Sequence, residues 1–334
     1  MPRVLCDGRE LPLLPGESVL DALLRAGQAV ASSCRVGACQ SCLVQATRGA
    51  PPAAAQVGLK ESLRLQGYFL ACQAFPSEDL ELRSRGAEAL QVPARISEVT
   101  RLAPDVAKVL LSPEQPFAYR AGQFVTLVRA DGLARAYSLA SLPNEAGGVL
   151  ELHVRVMPGG AMSGWLSSGQ ALGCTVQLRG PAGDCFYVPN KPAQALVLAG
   201  AGTGLAPLWG IVRDALAANH TGPIQLWHGA RTPDGLYLRR ELQQLTTRHA
   251  NFSYHACALE GDAVDGVTAG RLDDVLLQAV PSFSARRVYL CGDAGLVQQL
   301  KRKVFLGGAA LPEIHADAFV GQPPSRVAVA PPSP

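Results

Sequence analysis

Residues 34–42 read Cys34-Arg35-Val36-Gly37-Ala38-Cys39-Gln40-Ser41-Cys42, and a fourth cysteine follows in Leu70-Ala71-Cys72-Gln73. A C-x4-C-x2-C…C spacing holds a [2Fe–2S] cluster through four thiolates. Three ligands share one tight loop and the fourth arrives from a distant segment. Zinc also takes four cysteines, but its sites favour two close pairs, and Cys34 and Cys39 are too far apart for that. Gly37, Ala38 and Ser41 are small enough to let backbone N–H groups turn toward bridging sulfides, which need donors. Cys34, Cys39, Cys42 and Cys72 are therefore the candidate metal ligands, and the chain is expected to handle single electrons.

On these residues, positions 1–85 resemble a plant-type ferredoxin domain. The resemblance implies a β-grasp fold for a first domain over 1–88. Gln40 stands where that family often has Gly or Ser. The local pattern agrees with a small folded unit. Asp7-Gly8 between apolar stretches predicts a hairpin. Ser18 predicts a helix N-cap, Val19, Leu20, Leu23 and Leu24 an apolar face, and Gly27 its end. Leu80 and Leu82 suggest a closing strand, and residues 83–87 read as a linker.

The rest of the chain sets bounds. With 334 residues it has room for two or three domains, and 48% hydrophobic residues argue for real cores. A net charge of +3 is too small to argue for nucleic acid. The chain opens on strand-like Arg3-Val4-Leu5-Cys6, with no signal-peptide pattern and no apolar run near membrane-spanning length. Thiolate ligands plus Cys6, Cys174, Cys185, Cys257 and Cys291, read mainly as small buried hydrophobes, suit a reducing cytoplasm. No partner membrane is expected.

Residues 92–189 carry short alternating strands broken by Gly and Pro, clearest at 96–100, 106–111, 123–128 and 150–156, which predicts an antiparallel β-barrel. Within it stands Arg135-Ala136-Tyr137-Ser138. An Arg can neutralise a pyrophosphate, a Tyr can cover a flat ring, and a Ser hydroxyl can reach a ring nitrogen. Read alone, the tetrapeptide is also an ordinary strand with an exposed Arg and a core Tyr. Pro158-Gly159-Gly160-Ala161-Met162-Ser163 precedes Trp165-Leu166, which reads as a helix start. Glycines before a helix N-terminus offer an anion site. The alternative is a plain turn with Ser163 as cap.

From 190 to 322 the period changes to strands alternating with helices, a parallel α/β sheet. Strands are expected at 195–198, 224–229, 252–258 and 287–291, and helices at 208–218 and 241–248. The first strand runs into Ala199-Gly200-Ala201-Gly202-Thr203-Gly204-Leu205-Ala206-Pro207, a glycine loop between strand and helix that can cradle a phosphate. It is not G-x-G-x-x-G, because Leu205 occupies the third glycine position. Residues 323–334 form a Pro-rich tail.

Together these motifs resemble the ferredoxin–NADP reductase superfamily, and the order ferredoxin, flavin barrel, nucleotide domain is similar to the reductase components of bacterial oxygenases and to a deoxysugar dehydrase reductase. The resemblance implies FAD held by Arg135 and Ser163 at its pyrophosphate, by Tyr137 and Ser138 at its ring, and by Gly160, Met162 and the strand His153, Val154 and Arg155. It implies NAD(P)H on Gly202, Thr203, Gly204 and Pro207, with Cys291, Gly292 and Asp293 near the nicotinamide. Ser138 and Cys291 are the expected catalytic residues. Asp293 stands where the family often has Pro, and Asp317, before the terminal aromatic Phe319, stands where Glu is commoner. The second strand of this unit ends in Gly229-Ala230-Arg231 without an acid, and Arg231 could meet a 2′-phosphate; the resembled reductases mostly use NADH, which is favoured. The expected partner is an oxygenase, hydroxylase or dehydrase met transiently by a monomer. A redox-responsive regulatory module with incidental turnover is the second functional class.

Overall fold

The computed structural model describes residues 2–28, 30, 35, 37, 42–83, 91–143 and 145–319. The expected linker beyond Arg83 and the Pro-rich tail fall outside them, as do Cys34 and Cys39.

The first sheet starts with β1 (Val4–Cys6) and β2 (Arg9–Glu10). Asp7 and Gly8 join them at φ of 50° and 78°, the two left-handed positions that a tight twisted hairpin requires. In α1 (Val19–Arg25), Ser18 caps the N-terminus by accepting the Asp21 N–H. Val19, Leu20, Ala22 and Leu23 are buried, whereas Leu24 lies at the exposed edge of the stripe. Then come β3 (Leu43–Arg48), α2 (Glu61–Leu65), β4 (Tyr68–Leu70) and β5 (Leu80–Arg83). The order is β2-β1-β5-β3-β4, with β1 and β5 parallel and the other pairs antiparallel. This is a β-grasp sheet.

The second sheet holds β6 (Gln91–Ala103), β7 (Val106–Pro113), β8 (Phe124–Val128), β9 (Ala134–Ser138), β10 (Leu150–Arg155) and, after α3 (Ala161–Ser167), β11 (Thr175–Ala182). All pairs are antiparallel in the order β10-β7-β6-β11-β8-β9. A bridge between Leu139 and Leu152, and the Ala140 N–H on the Glu151 carbonyl at 2.9 Å, join the two edges and close the barrel. The first strand spans 13 residues, not the five expected, because register shifts after Ile96 and Arg101 bend it around the core.

The third sheet is parallel throughout: β12 (Leu196–Ala201), α4 (Leu205–Ala217), β13 (Ile224–Ala230), α5 (Arg239–Arg248), β14 (Phe252–Ala258), β15 (Val267–Ala269), α6 (Leu272–Ala279), β16 (Arg287–Asp293), α7 (Ala294–Leu306) and β17 (Ile314–Phe319). Its order is β15-β14-β13-β12-β16-β17. The chain winds one way from β12 and then the other, so a crevice opens at the carboxyl ends of β12 and β16, where open α/β sheets bind ligands. Helix α4 starts three residues before the expected Leu208, because a 3₁₀ turn over Gly202–Gly204 feeds straight into it. Cys6, Cys185, Cys257 and Cys291 are buried; Cys174 is exposed, contrary to its reading as a core thiol. No described helix is long and apolar enough to cross a membrane.

Candidate functional site

The cluster end is built by sheet register. Pairing of Leu43 with Leu70 sets Cys42, just before β3, beside Cys72, in the turn after β4. The Ala71 N–H donates to the Cys42 carbonyl at 3.0 Å. Both thiols are buried, and burial pushes the Cys42 thiol up, with the Cys72 thiol beside it. The Gln73 amide donates to Cys72 Sγ at 3.6 Å and to the Arg35 carbonyl at 2.9 Å, tying Arg35 to the segment of Cys72. Gly37 has φ of 81°, and a Cβ there would lie 3.2 Å from the Gln73 side chain. Two adjacent buried thiols with an amide donor on one sulfur fit a [2Fe–2S] cluster, whose sulfurs need such donors.

The Arg135–Ser138 tetrapeptide lies on β9. Alternation leaves Arg135 and Tyr137 half-buried and puts Ser138 inside. Ser138 Oγ donates to Asp317 Oδ2 at 3.0 Å, across 179 residues, so the barrel and the last strand of the nucleotide domain meet at this hydroxyl. Burial raises the Asp317 carboxyl, the Ser138 hydrogen bond works against that, and the Asp184 charge adds to it. Burial raises the Tyr137 phenol, so it is neutral. On β10, His153 and Val154 are buried. His153 pairs through Nδ1 with the Tyr237 hydroxyl at 3.1 Å and through Nε2 with Glu151 at 2.7 Å. Arg155 pairs with Asp105 at 3.3 Å. Helix α3 starts at Ala161 with Gly160 as N-cap, four residues before Trp165, and Ser163 lies inside it rather than capping it. Ser163 Oγ accepts the Met157 N–H at 3.1 Å, which leaves its proton as the group a phosphate would meet. A Cβ on Gly160 would lie 2.4 Å from that oxygen and 3.0 Å from the Met157 carbonyl, so a larger residue would displace the Ser163 hydroxyl from its bond to Met157. Met162 is buried beneath it.

The glycine loop lies at the crevice between β12 and β16. A Cβ on Gly204 would lie 2.3 Å from the Cys291 carbonyl, and one on Gly200 would lie 2.8 Å from it. The glycine loop therefore lies directly on the β16 backbone, a cradle that side chains would fill. Thr203 occupies the same turn and Pro207 is buried in α4. Cys291 is in register with Gly200 on one side and Asp317 on the other. Its Sγ lies 3.7 Å from Cys185 Sγ, and burial holds its thiol well above the usual range, so it is a neutral packing surface. Gly292 takes φ of 133°. Asp293 caps α7, its Oδ1 accepting the Gly295 and Leu296 N–H groups. Phe319 ends β17, level with Asp293.

Arg231 follows β13 and pairs with Glu260 at 3.2 Å. The expectation of a strand tip without an acid looked along one strand; the acid comes from the tip of the neighbouring one, where the Glu260 N–H also donates to the Arg231 carbonyl at 2.8 Å. Tyr237 and His228 also escaped the sequence reading. His228 is fully buried, bonded to the Tyr254 hydroxyl at 3.2 Å, and burial lowers it to about 3. Neither residue carries a local motif.

Comparison with known proteins places three families along the chain: a 2Fe-2S iron-sulfur cluster binding domain over residues 4–77, an oxidoreductase FAD-binding domain over 93–187 and an oxidoreductase NAD-binding domain over 198–302. The reductase subunit of an aromatic O-demethylase from Amycolatopsis is 37% identical, covering 87% of this chain and 90% of its own. The ferredoxin–NAD(P)(+) reductase component of a naphthalene 1,2-dioxygenase system from Pseudomonas putida is 30% identical over 94% of this chain and 96% of its own. The crystal structure of an Amycolatopsis cytochrome P450 reductase superposes with a TM-score of 0.67 at 34% identity, covering 96% of this chain and 99% of that one.

Proposed function

Because the chain belongs to the iron–sulfur flavoprotein reductase components of oxygenase systems, we propose that it takes electrons from NADH and delivers them to the terminal oxygenase of an aromatic-oxidising system, meeting it transiently as a monomer. The chain is an oxidoreductase with a 2Fe-2S domain, an FAD domain and an NAD domain. When bound, the flavin turns the two-electron hydride of NAD(P)H into the single electrons that a [2Fe–2S] cluster accepts. The observation that carries the reading is the Ser138–Asp317 contact, which brings the flavin strand of the barrel to the strand beside Cys291.

In this reading the chain's own residues do four things. Cys34, Cys39, Cys42 and Cys72 hold the cluster. Arg135 and the α3 turn at Gly160–Ser163 bind the flavin pyrophosphate, and Tyr137 covers the ring. Gly202–Pro207 would hold the dinucleotide in the crevice against β16, beside Ser138 and Cys291. Ser138, its proton held by Asp317 at 3.0 Å, would present its acceptor oxygen at the hydride-accepting edge, oriented by that carboxylate; orientation is the protein's main contribution to such a step. The proposed acceptor follows from the relatives, which serve an aromatic O-demethylase, naphthalene dioxygenase and phenol monooxygenase. The test is NADH-driven reduction of ferricyanide and cytochrome c by the cofactor-replete protein; activity toward neither would overturn it.

The NADH preference rests on Glu260. Its carboxylate occupies Arg231 and repels a 2′-phosphate. Glu260→Gln is expected to raise kcat/KM for NADPH about tenfold relative to NADH, the size of about 1.4 kcal/mol of lost repulsion. Steady-state ferricyanide reduction with both nucleotides checks it. An unchanged ratio would remove Glu260 from the account.

A further inference from the structure

One six-residue segment, Gly180–Cys185, the end of β11 and the turn after it, meets all three domains. The Gly183 carbonyl accepts from the Gln123 amide of the barrel at 3.1 Å and from the Gln66 amide of the first domain at 3.3 Å. The two glutamines also bond each other, Gln123 Nε2 donating to Gln66 Oε1 at 3.0 Å. Gln123 is buried and locked from behind, its Oε1 accepting the Arg120 N–H at 2.9 Å. The Asp184 carboxylate pairs with Lys60 of the first domain at 2.9 Å. The Asp184 carbonyl accepts from His315 Nδ1 at 3.2 Å, and His315 is buried on β17, two residues before Asp317. Cys185 touches Cys291. A cavity of about 390 Å³ opens along the same seam, between Gln66 and Tyr68 on one side and Tyr119 and Arg120 on the other.

The segment thus contacts Cys291 and the strand of Asp317 through Cys185 and the Asp184 carbonyl, and the first domain through the Gly183 carbonyl and the Asp184 carboxylate. Lys60 and Gln66 flank α2, and the chain runs from Gln66 through β4 to Cys72 within six residues, a reach of at most about 22 Å when fully extended. Whatever sets the position of Lys60 and Gln66 sets the position of the cluster ligand segment.

We propose that Gly180–Cys185 is the joint that holds the cluster domain against the flavin site, and that Lys60 and Gln66 are positioning residues for the electron transfer between them. Each hydride from NAD(P)H brings two electrons and the cluster takes one at a time, so the seam is crossed twice per nucleotide oxidised, and each electron leaves through the cluster to the acceptor. Transfer through protein falls steeply with distance, so a seam loosened by a hydrogen bond and an ion pair slows this step alone. A partly exposed ion pair such as this adds little to stability; its use here is in fixing orientation.

The inference rests on the flavin-before-cluster order of the proposed function. The test is the holoprotein with Lys60→Glu and Gln66→Leu together, both on the first domain and outside the cofactor and nucleotide sites. In anaerobic stopped-flow with NADH, flavin reduction is expected at the parent rate and cluster reduction slowed about tenfold or more, as misplacement of reacting groups by about 1 Å implies. Amide hydrogen exchange over 180–186 is expected to quicken in the same variant. A charge swap, Lys60→Asp with Asp184→Lys, is expected to recover most of the cluster phase. Parent-rate cluster reduction in the double variant, or loss of flavin reduction along with it, overturns the proposal. If the electron order itself were wrong, the parent protein would show no cluster phase after the flavin phase, which separates the two failures.

Discussion

Cys72→Ala is expected to bring cytochrome c reduction down to background while ferricyanide, which can draw on the flavin directly, is still reduced at close to the parent rate. Four thiolates hold a [2Fe–2S] cluster, and Cys72 is the proposed ligand that arrives from outside the cysteine loop. Its position is set by the β3–β4 pairing and by the Gln73 amide on its sulfur, so no neighbouring group can replace it. The buried place at Cys72 accepts an alanine without a clash, and the barrel and nucleotide domain have their own cores. The hydride step should therefore survive. Metal binding contributes to the folding of such small domains, so the first domain alone should unfold at a lower temperature. The measurement is the ratio of the two activities, with the visible absorption of the cluster as control. A variant that lacks the cluster signal and still reduces cytochrome c at the parent rate would show that electrons leave the flavin by another exit.

Gly204→Ala should abolish the opposite end of the path. The added Cβ would lie 2.3 Å from the Cys291 carbonyl oxygen and 2.9 Å from the Gly292 Cα. Both are backbone atoms of a strand buried between β12 and β17, so the loop must move rather than the strand. A loop displaced by about 1 Å costs about 10²-fold in a step that depends on near-attack geometry. NADH-driven flavin reduction should fall by about that factor, while reduction of the same flavin by dithionite is unchanged. Gly202→Ala supplies the contrast. Gly202 has φ of 54°, and a Cβ added there would meet nothing within 4 Å; its replacement should cost about 1 kcal/mol of left-handed strain with a much smaller loss of rate. Equal losses in the two variants would mean that the close approach to β16 is not what the glycine is for.

The parts of the molecule that could be read from residues alone are those whose reasons are local. The Cys34–Cys42 triplet spacing, the Asp7-Gly8 hairpin, the Ser18 cap and the Gly202–Pro207 turn each have their reasons within a few residues. The change of period near residue 190, from short alternating strands to strands with helices, marks the passage from barrel to parallel sheet for the same reason. Strands β3 and β4 escaped because β4 is three residues long and shows no period. The start of α3 escaped because a glycine caps it and the hydroxyl that resembles a cap turns back to Met157.

Partners far apart in the chain were decided elsewhere. Ser138 finds Asp317 across 179 residues, Arg231 finds Glu260 from the next strand, and Lys60 finds Asp184 across the seam. None of these pairs has a signature in its own neighbourhood, since each depends on strand order, register and the way one domain lies on another. The sequence by itself determined which cofactors this chain is made for, because phosphate loops and thiolate clusters are built from short stretches of backbone and side chain. Only the tertiary structure decided how the three sites are joined, because the distances between them are set by packing between surfaces that the chain brings together from its whole length.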